Sequence, residues 1–432
     1  MFDTAAPFTH SPAMPHALKL VAATLGFAAL GQVSFAELWE LVLPVPQRGE
    51  IQQVATLANG DLLVSGELAK SSPHYADGWL ARYSPAGEEV WSRTISEVQS
   101  RTFIHMMVTS DQVYVLGAHN DPYADFSGAG GFVLSLSLDG SMQWGTRLSE
   151  TGAGILPASV QVLGSGDLLV LGSLLLAPEG LTDRMAYSAR LTSEGKPIWS
   201  YRSQPGDPYF ADVIPPKPAI FTLKEGERPE APGPVIERRP GELDVFIRRL
   251  DFGFGPSPIG RCEVISAEGK RLSGADCENV DQVRTRDKSL APFVAEIVIP
   301  AFVSPPPLKI SKTGPAGDTL WTWKYAGPER AGLTDILPLE DGGLIGAGYV
   351  IRKDGADRMH VYDAILFRLD SSGREVWFHD FASDRRDVFA GLAALSPDEF
   401  YVVGHTGAGD AADWNPWIIR MGIDGVRPAP AE

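Results

Sequence analysis

Cysteine is scarce in this chain: two residues in 432, Cys262 and Cys277. No zinc-type cysteine spacing can be assembled from them. Catalytic signatures are missing as well, with no Gly-x-Ser-x-Gly elbow, phosphate-binding loop or His-Glu-x-x-His. Positive charge is in short supply. Against 54 Asp and Glu stand 37 Lys and Arg, for a formal charge of −17. That balance argues against nucleic acid as a partner, because phosphate contacts need clustered basic side chains. The apolar run from Leu20 to Leu30 is too short to span a bilayer comfortably. With Lys19 before it and Ser34-Phe35-Ala36 after it, residues 1–36 read as a secretory signal peptide. A periplasmic or secreted protein follows, without a stable membrane span after cleavage. Met1 and Met14 both remain candidate starts.

An exported chain with an even cysteine count favours a disulfide between Cys262 and Cys277. The midpoint of the pair falls at Gly269-Lys270, read as a hairpin turn, so the two cysteines are expected to face each other across paired strands. A pair of buried thiols is the alternative.

Tryptophan, by contrast, is abundant and periodic. Trp91, Trp144, Trp199, Trp321 and Trp377 each follow a glycine by four residues: Gly87, Gly140, Gly195, Gly317 and Gly373. Successive gaps are 53, 55, 122 and 56 residues, and the long gap is two beats of 61. A second set of glycines keeps the same time. Gly66, Gly117, Gly172, Gly348 and Gly404 each close an apolar run such as Leu62-Leu63-Val64 or Val113-Tyr114-Val115. Polar turns such as Asn59-Gly60-Asp61 and Asp341-Gly342-Gly343 precede these runs, as in tight hairpins. A third apolar strand and the tryptophan-bearing fourth strand complete the unit. Four short antiparallel strands per repeat of 50-odd residues is a β-propeller blade.

From Gly172 to Gly348 is 176 residues, three intervals of about 59, so two degenerate blades lie between them and the total is seven. Trp39 lies 52 residues before Trp91, on the beat. Leu38–Leu43 is therefore expected to complete the last blade, closing the ring and removing a free strand edge. The expected fold class is all-β: a seven-bladed propeller in one domain, residues 37–432. The tryptophans read as inter-blade packing, each burying on the order of 150–250 Å². Arg82, Arg190, Lys312, Arg368 and Arg420, five residues before each turn position, read as a shared packing or hydrogen-bonding device.

Residues 204–307 are proline-rich and break the rhythm. Ala219–Leu223 reads as the second strand of the fourth blade, and Ala267–Ser273 as its final turn with Ser273 in the tryptophan position. An insertion of about twenty residues follows from that spacing, either as long loops on a drifted blade or as a docking arm.

The loops joining second to third strands vary in length: 67–78, 118–131, 173–186, 349–363 and 405–416. Variable loops on a rigid scaffold are where binding usually sits. His74, Asp77, His119, Asp121, Asp125, His360, Asp363, His405, Asp410 and Trp414 lie in or beside them and are the ligand-binding candidates. A divalent metal such as calcium, or a polyol-type ligand, suits this residue set. The competing reading is that exposed loops are rich in such residues in any protein.

Arg-Leu-Asp-Ser-Ser-Gly-Arg-Glu-Val-Trp (368–377) and Arg-Tyr-Ser-Pro-Ala-Gly-Glu-Glu-Val-Trp (82–91) resemble the repeats of bacterial exported β-propellers. They are also similar to the tryptophan-docking repeats of PQQ-like quinoprotein propellers. The chain lacks that family's Thr-Gly and adjacent cysteines, so no cofactor is expected. The leading reading is a monomeric, non-catalytic propeller binding a protein or glycan through its variable-loop face. The alternative is a propeller enzyme (hydrolase, lyase or cofactor-dependent) using that face or the central channel.

Overall fold

The computed structural model describes residues 3–4, 38–45, 48–69, 76–95, 101–119, 130–148, 153–176, 184–202, 235–239, 242–248, 259–266, 271–278, 282–284, 293–296, 308–313, 319–353, 360–381, 385–407 and 414–426; from 235 to 296 only the backbone is described. The described residues are all-β. Two strands open the chain, β1 (Asp3–Thr4) and β2 (Glu40–Val42). Sheet 1 comprises β3 (Gly49–Thr56), β4 (Leu62–Ala69), β5 (Ala76–Tyr83) and β6 (Glu89–Ile95). Sheet 2 comprises β7 (Arg101–Val108), β8 (Gln112–His119), β9 (Gly130–Ser137) and β10 (Met142–Leu148), with β1 on its outer edge. Sheet 3 follows with β11 (Ala153–Val162), β12 (Leu168–Leu176), β13 (Arg184–Leu191) and β14 (Pro197–Arg202). Sheet 4 holds β15 (Val235–Arg239), β16 (Glu242–Arg248), β17 (Ile259–Ser266) and β18 (Arg271–Glu278). Sheet 5 holds β19 (Gln282–Arg284), β20 (Phe293–Glu296), β21 (Lys309–Thr313) and β22 (Thr319–Lys324). Sheet 6 is β23 (Arg330–Pro338), β24 (Leu344–Lys353), β25 (His360–Leu369) and β26 (Glu375–Asp380). Sheet 7 is β27 (Arg386–Ser396), β28 (Glu399–Gly407) and β29 (Asn415–Gly422), completed by β2.

All pairings among the described strands are antiparallel, and all join sequence neighbours except the two made by the chain's start, β1 with β10 and β2 with β29. The expected partnership of first and last strands is present: Glu40, Leu41 and Val42 lie opposite Ile419, Ile418 and Trp417.

The sheets stack face to face as propeller blades do. One apolar cluster joins sheets 1 and 2 through Leu63, Leu80, Phe103, Val115 and Leu134. Others join sheets 2 and 3 (Leu116, Val133, Ile155, Val170), 5 and 6 (Ile310, Trp323, Ile365, Phe367) and 6 and 7 (Ala347, Leu366, Phe389, Trp417). Between sheets 7 and 1 lie Trp39, Val64, Ala81, Tyr401 and Ile418. Neighbouring residues of one strand serve opposite interfaces, as Leu63 and Val64 do. That is why these strands read as unbroken apolar runs: a strand covered on both faces has no polar side to alternate with.

The periodic tryptophans bind these interfaces at the hairpin-turn end. Among the described residues, five indole N–H groups donate to the carbonyl two residues before the next sheet's turn glycine. Trp91 reaches Leu138 O at 3.0 Å, Trp144 reaches Ser193 O at 3.1 Å, Trp321 reaches Ser371 O at 2.9 Å and Trp377 reaches Ile423 O at 3.0 Å. Trp39 makes the same bond to Pro85 O, at 2.8 Å, from sheet 7 to sheet 1. The ring lies directly against the glycine that follows: a Cβ at Gly140 would sit 2.8 Å from Trp91, and one at Gly195 2.4 Å from Trp144. These glycines also have φ near +80°, where a side chain is strained.

Three of the basic residues share the tryptophan's acceptor. Arg82 Nη1 donates to Leu138 O at 2.7 Å while its Nε bonds Asp61 at 2.6 Å. Arg368 joins Ile423 O (3.1 Å) to Asp341 (2.8 Å), and Arg420 joins Pro85 O (2.6 Å) to Glu399 (2.7 Å). Lys312 reaches the Gly342 carbonyl of the next sheet at 2.6 Å.

The second set of glycines marks something other than a strand end. β4, β8, β12, β24 and β28 all run two or more residues past them. Each glycine faces the residue just before a β-bulge in the first strand: Ile51 opposite Gly66, Phe103 opposite Gly117, Pro157 opposite Gly172, Leu333 opposite Gly348 and Phe389 opposite Gly404. The bulge drives a carbonyl onto the glycine. A Cβ at Gly66 would lie 1.9 Å from Glu50 O, and one at Gly404 2.0 Å from Val388 O.

Sheet 4 corrects two expectations. Its second strand is β16, since Glu242–Arg248 pairs with β17; Ala219–Leu223 lies outside the described residues, so the twenty-residue insertion is not placed after it. A register shift at Ile265 sets Cys262 opposite Ala275 and Cys277 opposite Gly260. The cysteines are therefore diagonal neighbours, not directly opposed, and their side chains lie outside the described residues.

Trp91→Ala removes both the docked ring and its bond, and is expected to cost about 3 kcal/mol or more in urea unfolding. Gly140→Ala, which adds a Cβ both into the ring and at positive φ, is expected to cost over about 1 kcal/mol. The same change at Gly166, also at positive φ but with open space around it, carries only the backbone part of that penalty. Equal losses at Gly140 and Gly166 would disprove the docking contact as the reason for glycine.

Candidate functional site

The two ends of the sheets differ in what their polar groups do. At the hairpin-turn end the Trp, Arg and Asp side chains are consumed by the inter-sheet lattice. The opposite end carries the connections from second to third strands and the crossings between sheets, because alternate turns of an antiparallel sheet lie at opposite ends. The candidate residues belong to this crossing-side end.

The structure moves most of the described candidates out of loops and into strands. Asp77 is in β5, buried and opposite Leu68. Asp363 is in β25, buried and opposite Val350. They occupy the same place in their sheets, ten residues before Gly87 and Gly373, and Asn415 holds that place in sheet 7 before Gly425. His119 is the last residue of β8, opposite Gly130, and His360 the first of β25, opposite Lys353. His74, Asp121, Asp125 and Asp410 lie outside the described residues.

His405 and Trp414 do come together. His405 follows Gly404 in β28 and is 7% exposed, opposite Val388 and Pro416. Its ring stacks on Trp414 at 4.1 Å with 20° between planes. Arg48, from the crossing between β2 and β3, places its guanidinium carbon 5.0 Å from the Trp414 ring, a cation–π distance. Arg48 also pairs with Glu50. Burial raises the Glu50 carboxyl above its ordinary value; Arg48 opposes that rise and Glu67 adds to it. Burial, and then the charge of Arg48, hold the His405 imidazole down at about 4, so it is neutral near pH 7.

Asp363 belongs to a separate group in sheet 6. Arg352 Nε lies 3.1 Å from its carboxylate and Nη2 pairs with Asp380. Tyr349 and Tyr362 meet edge to face on the opposite side of the sheet, at 5.4 Å and 70°. Thus the candidates divide among sheets 1, 6 and 7, and their grouping follows the strands. Among the described residues, no group of three or more His, Cys, Asp or Glu is arranged to hold a metal ion. Arg48, Glu50 and Asp380 were missed by sequence reading because they sit outside the variable loops; Arg352, inside 349–363, was passed over because only histidine, aspartate and tryptophan were singled out there. The one available signal was the shared placement of Asp77, Asp363 and Asn415 relative to the turn glycines.

No protein-family model matches this chain, and neither does any curated protein. Among solved structures, it is similar to a protein of unknown function from Dyadobacter fermentans, at 10% identity over 88% of this chain and 98% of that one, with a TM-score of 0.43. The β-propeller domain of the Trilobed protease from Pyrococcus furiosus, described as having an open velcro topology, is similar at 10% identity, 87% and 95% coverage and a TM-score of 0.44. An acylaminoacyl peptidase from Pyrococcus horikoshii is similar at 10% identity over 85% of this chain, which spans about half (51%) of the peptidase, with a TM-score of 0.43.

Proposed function

We propose that this chain is an exported, PQQ-like β-propeller of seven blades, closed into a ring by β2, that binds a protein or glycan at its crossing-side end without catalysing a reaction. The contrast between the two ends carries this reading. Tryptophan, arginine and aspartate saturate one end, with short turns of near-constant length. The other end has connections of unequal length and presents aromatic and charged groups: Trp414 with Arg48 in sheet 7, and in sheet 6 the Tyr349–Tyr362 pair on one face and the Arg352–Asp380 pair on the other. Aromatic rings flanked by charged donors and acceptors suit the apolar faces and hydroxyls of a sugar, or the centre of a protein contact. A formal charge of −17 favours a neutral glycan or a neutral-to-basic protein surface over a polyanion.

The purified protein, screened on an oligosaccharide array and against envelope proteins of its own organism, supplies the ligand for the test. Arg352→Ala combined with Trp414→Ala is expected to weaken that ligand at least tenfold. Val90→Ser with Val376→Ser, at exposed positions of outer strands, is expected to leave affinity unchanged. Loss of affinity only in the outer-strand pair would move the site elsewhere. Chemical conversion of the bound ligand would replace this reading with that of a propeller enzyme.

A further inference from the structure

Among the described residues, His405 is buried without a partner for either ring nitrogen, and the Trp414 indole N–H against which it stacks is unpartnered too. A neutral imidazole carries one donor and one acceptor, and leaving both unmatched in burial is costly. Packing and stacking alone hold the ring in place. The Trp414 segment also holds the chain's opening segment. Trp414 O accepts from Gly49 N at 2.6 Å, Asn415 Oδ1 from Val45 N at 3.1 Å, and Pro416 O from Leu43 N at 2.9 Å. These three bonds, with the short β2 ladder, fasten the crossing from β2 to β3 onto sheet 7.

We propose that this seam is an acid-sensitive latch, with protonation of His405 as the trigger that loosens the β2–β3 crossing from the last sheet. A second proton gives His405 a charge and a second unmatched donor inside the stack. The facing groups do not absorb it. Arg48, from the crossing, is a cation, and its carboxylate partner Glu50, on β3, is already engaged. Glu67, on β4, interacts with Glu50. On β27, Arg386 and Asp387 stand two and one positions before Val388, the residue opposite His405; Asp387 pairs with Thr406, whose side chain alternates to the other face of the sheet. On β29 the neighbours are the uncharged Asn415 and Pro416. Solvating the imidazolium therefore requires Trp414 to move aside, and Trp414 carries the bond to Gly49.

The direction follows from linkage. His405 is held at about 4 in the closed seam by burial and Arg48, against an ordinary value near 6.5 when exposed. Its contribution to closure is complete above about pH 6.5 and is lost as pH falls from there towards 4. Opening becomes about twentyfold easier between pH 7 and pH 5 if His405 alone is counted. Glu50, raised by burial, acts in the opposite sense and favours the closed state in acid.

Hydrogen exchange of the whole protein tests this inference, with rates corrected for intrinsic pH dependence. Amides of Leu43, Val45 and Gly49 are expected to lose protection by on the order of tenfold between pH 7 and pH 5, while those of β12 and β13 in sheet 3 keep theirs. His405→Gln, which cannot take up the proton, is expected to abolish the loss. An equal loss in His405→Gln, or none in the unaltered protein, overturns the latch. Should that variant fail to fold, the imidazole resonances of the unaltered protein decide: His405 staying neutral down to pH 5 supports the latch, and titration near 6.5 in the folded state overturns it.

Discussion

One backbone carbonyl at each of three interfaces anchors the packing of this protein. Leu138 O receives both the indole N–H of Trp91 and the guanidinium of Arg82; Ile423 O receives Trp377 and Arg368; Pro85 O receives Trp39 and Arg420. A carbonyl has two lone pairs, and here both are used by donors from the preceding sheet. The arrangement fixes the spacing of the whole repeat. The acceptor must lie two residues before a turn glycine, because the indole needs a flat place beside its bond. Each arginine must also reach back to the acidic residue of its own first hairpin. Three positions in one sheet and two in the next are thereby locked together, and the interface tolerates little drift among them.

The same lattice makes the molecule two-ended. Polar groups at the hairpin-turn end are spent on inter-sheet bonds and have little left to offer a ligand. Inside the stack, polar side chains on first strands serve a similar purpose. Asp335 Oδ2 accepts Leu392 N of the next sheet at 2.9 Å, and His105 Nδ1 accepts Val160 N at 3.3 Å. Inner strands have an unpaired edge, and these acceptors satisfy amide groups that the ladder leaves free. His105, a buried histidine with a structural bond, contrasts with His405, which has none.

How far the sequence disclosed this follows from what each residue depends on. Trp91, Gly140 and Arg82 were legible because an interface that recurs demands the same residue at the same interval, and the interval survives in the linear chain. The role of Gly66 and its equivalents was only half legible. Their period was plain, but a β-bulge leaves no letter in the sequence, so the end of an apolar run passed for the end of a strand. Asp77, Asp363 and His405 were assigned to loops for that reason and lie in strands. Sheet 4 was harder still, since no tryptophan marks β18 and the register of β17 with β18 leaves the two cysteines two residues out of opposition. Arg352 and Asp380 are 28 residues apart and belong to no repeat, so only the folded chain brings them together.

The seam between the last and first sheets shows what the lattice must do where the chain is discontinuous. β2 has three residues, whereas β6 and β10 have seven each. Its ladder is correspondingly short, and side chains supply the remainder. Trp39 docks on Gly87 as Trp91 docks on Gly140, Trp417 Nε1 bonds Glu40 at 2.8 Å, and Arg420 takes Trp39 O through its amide at 2.8 Å and Pro85 O through its guanidinium. A join held by side chains more than by ladder bonds responds to side-chain chemistry in a way that the covalently continuous sheets do not. It follows that this short ladder and the crossing-side cluster of Arg48, His405 and Trp414 occupy one region, where a change in ionisation reaches the fastening of the fold directly.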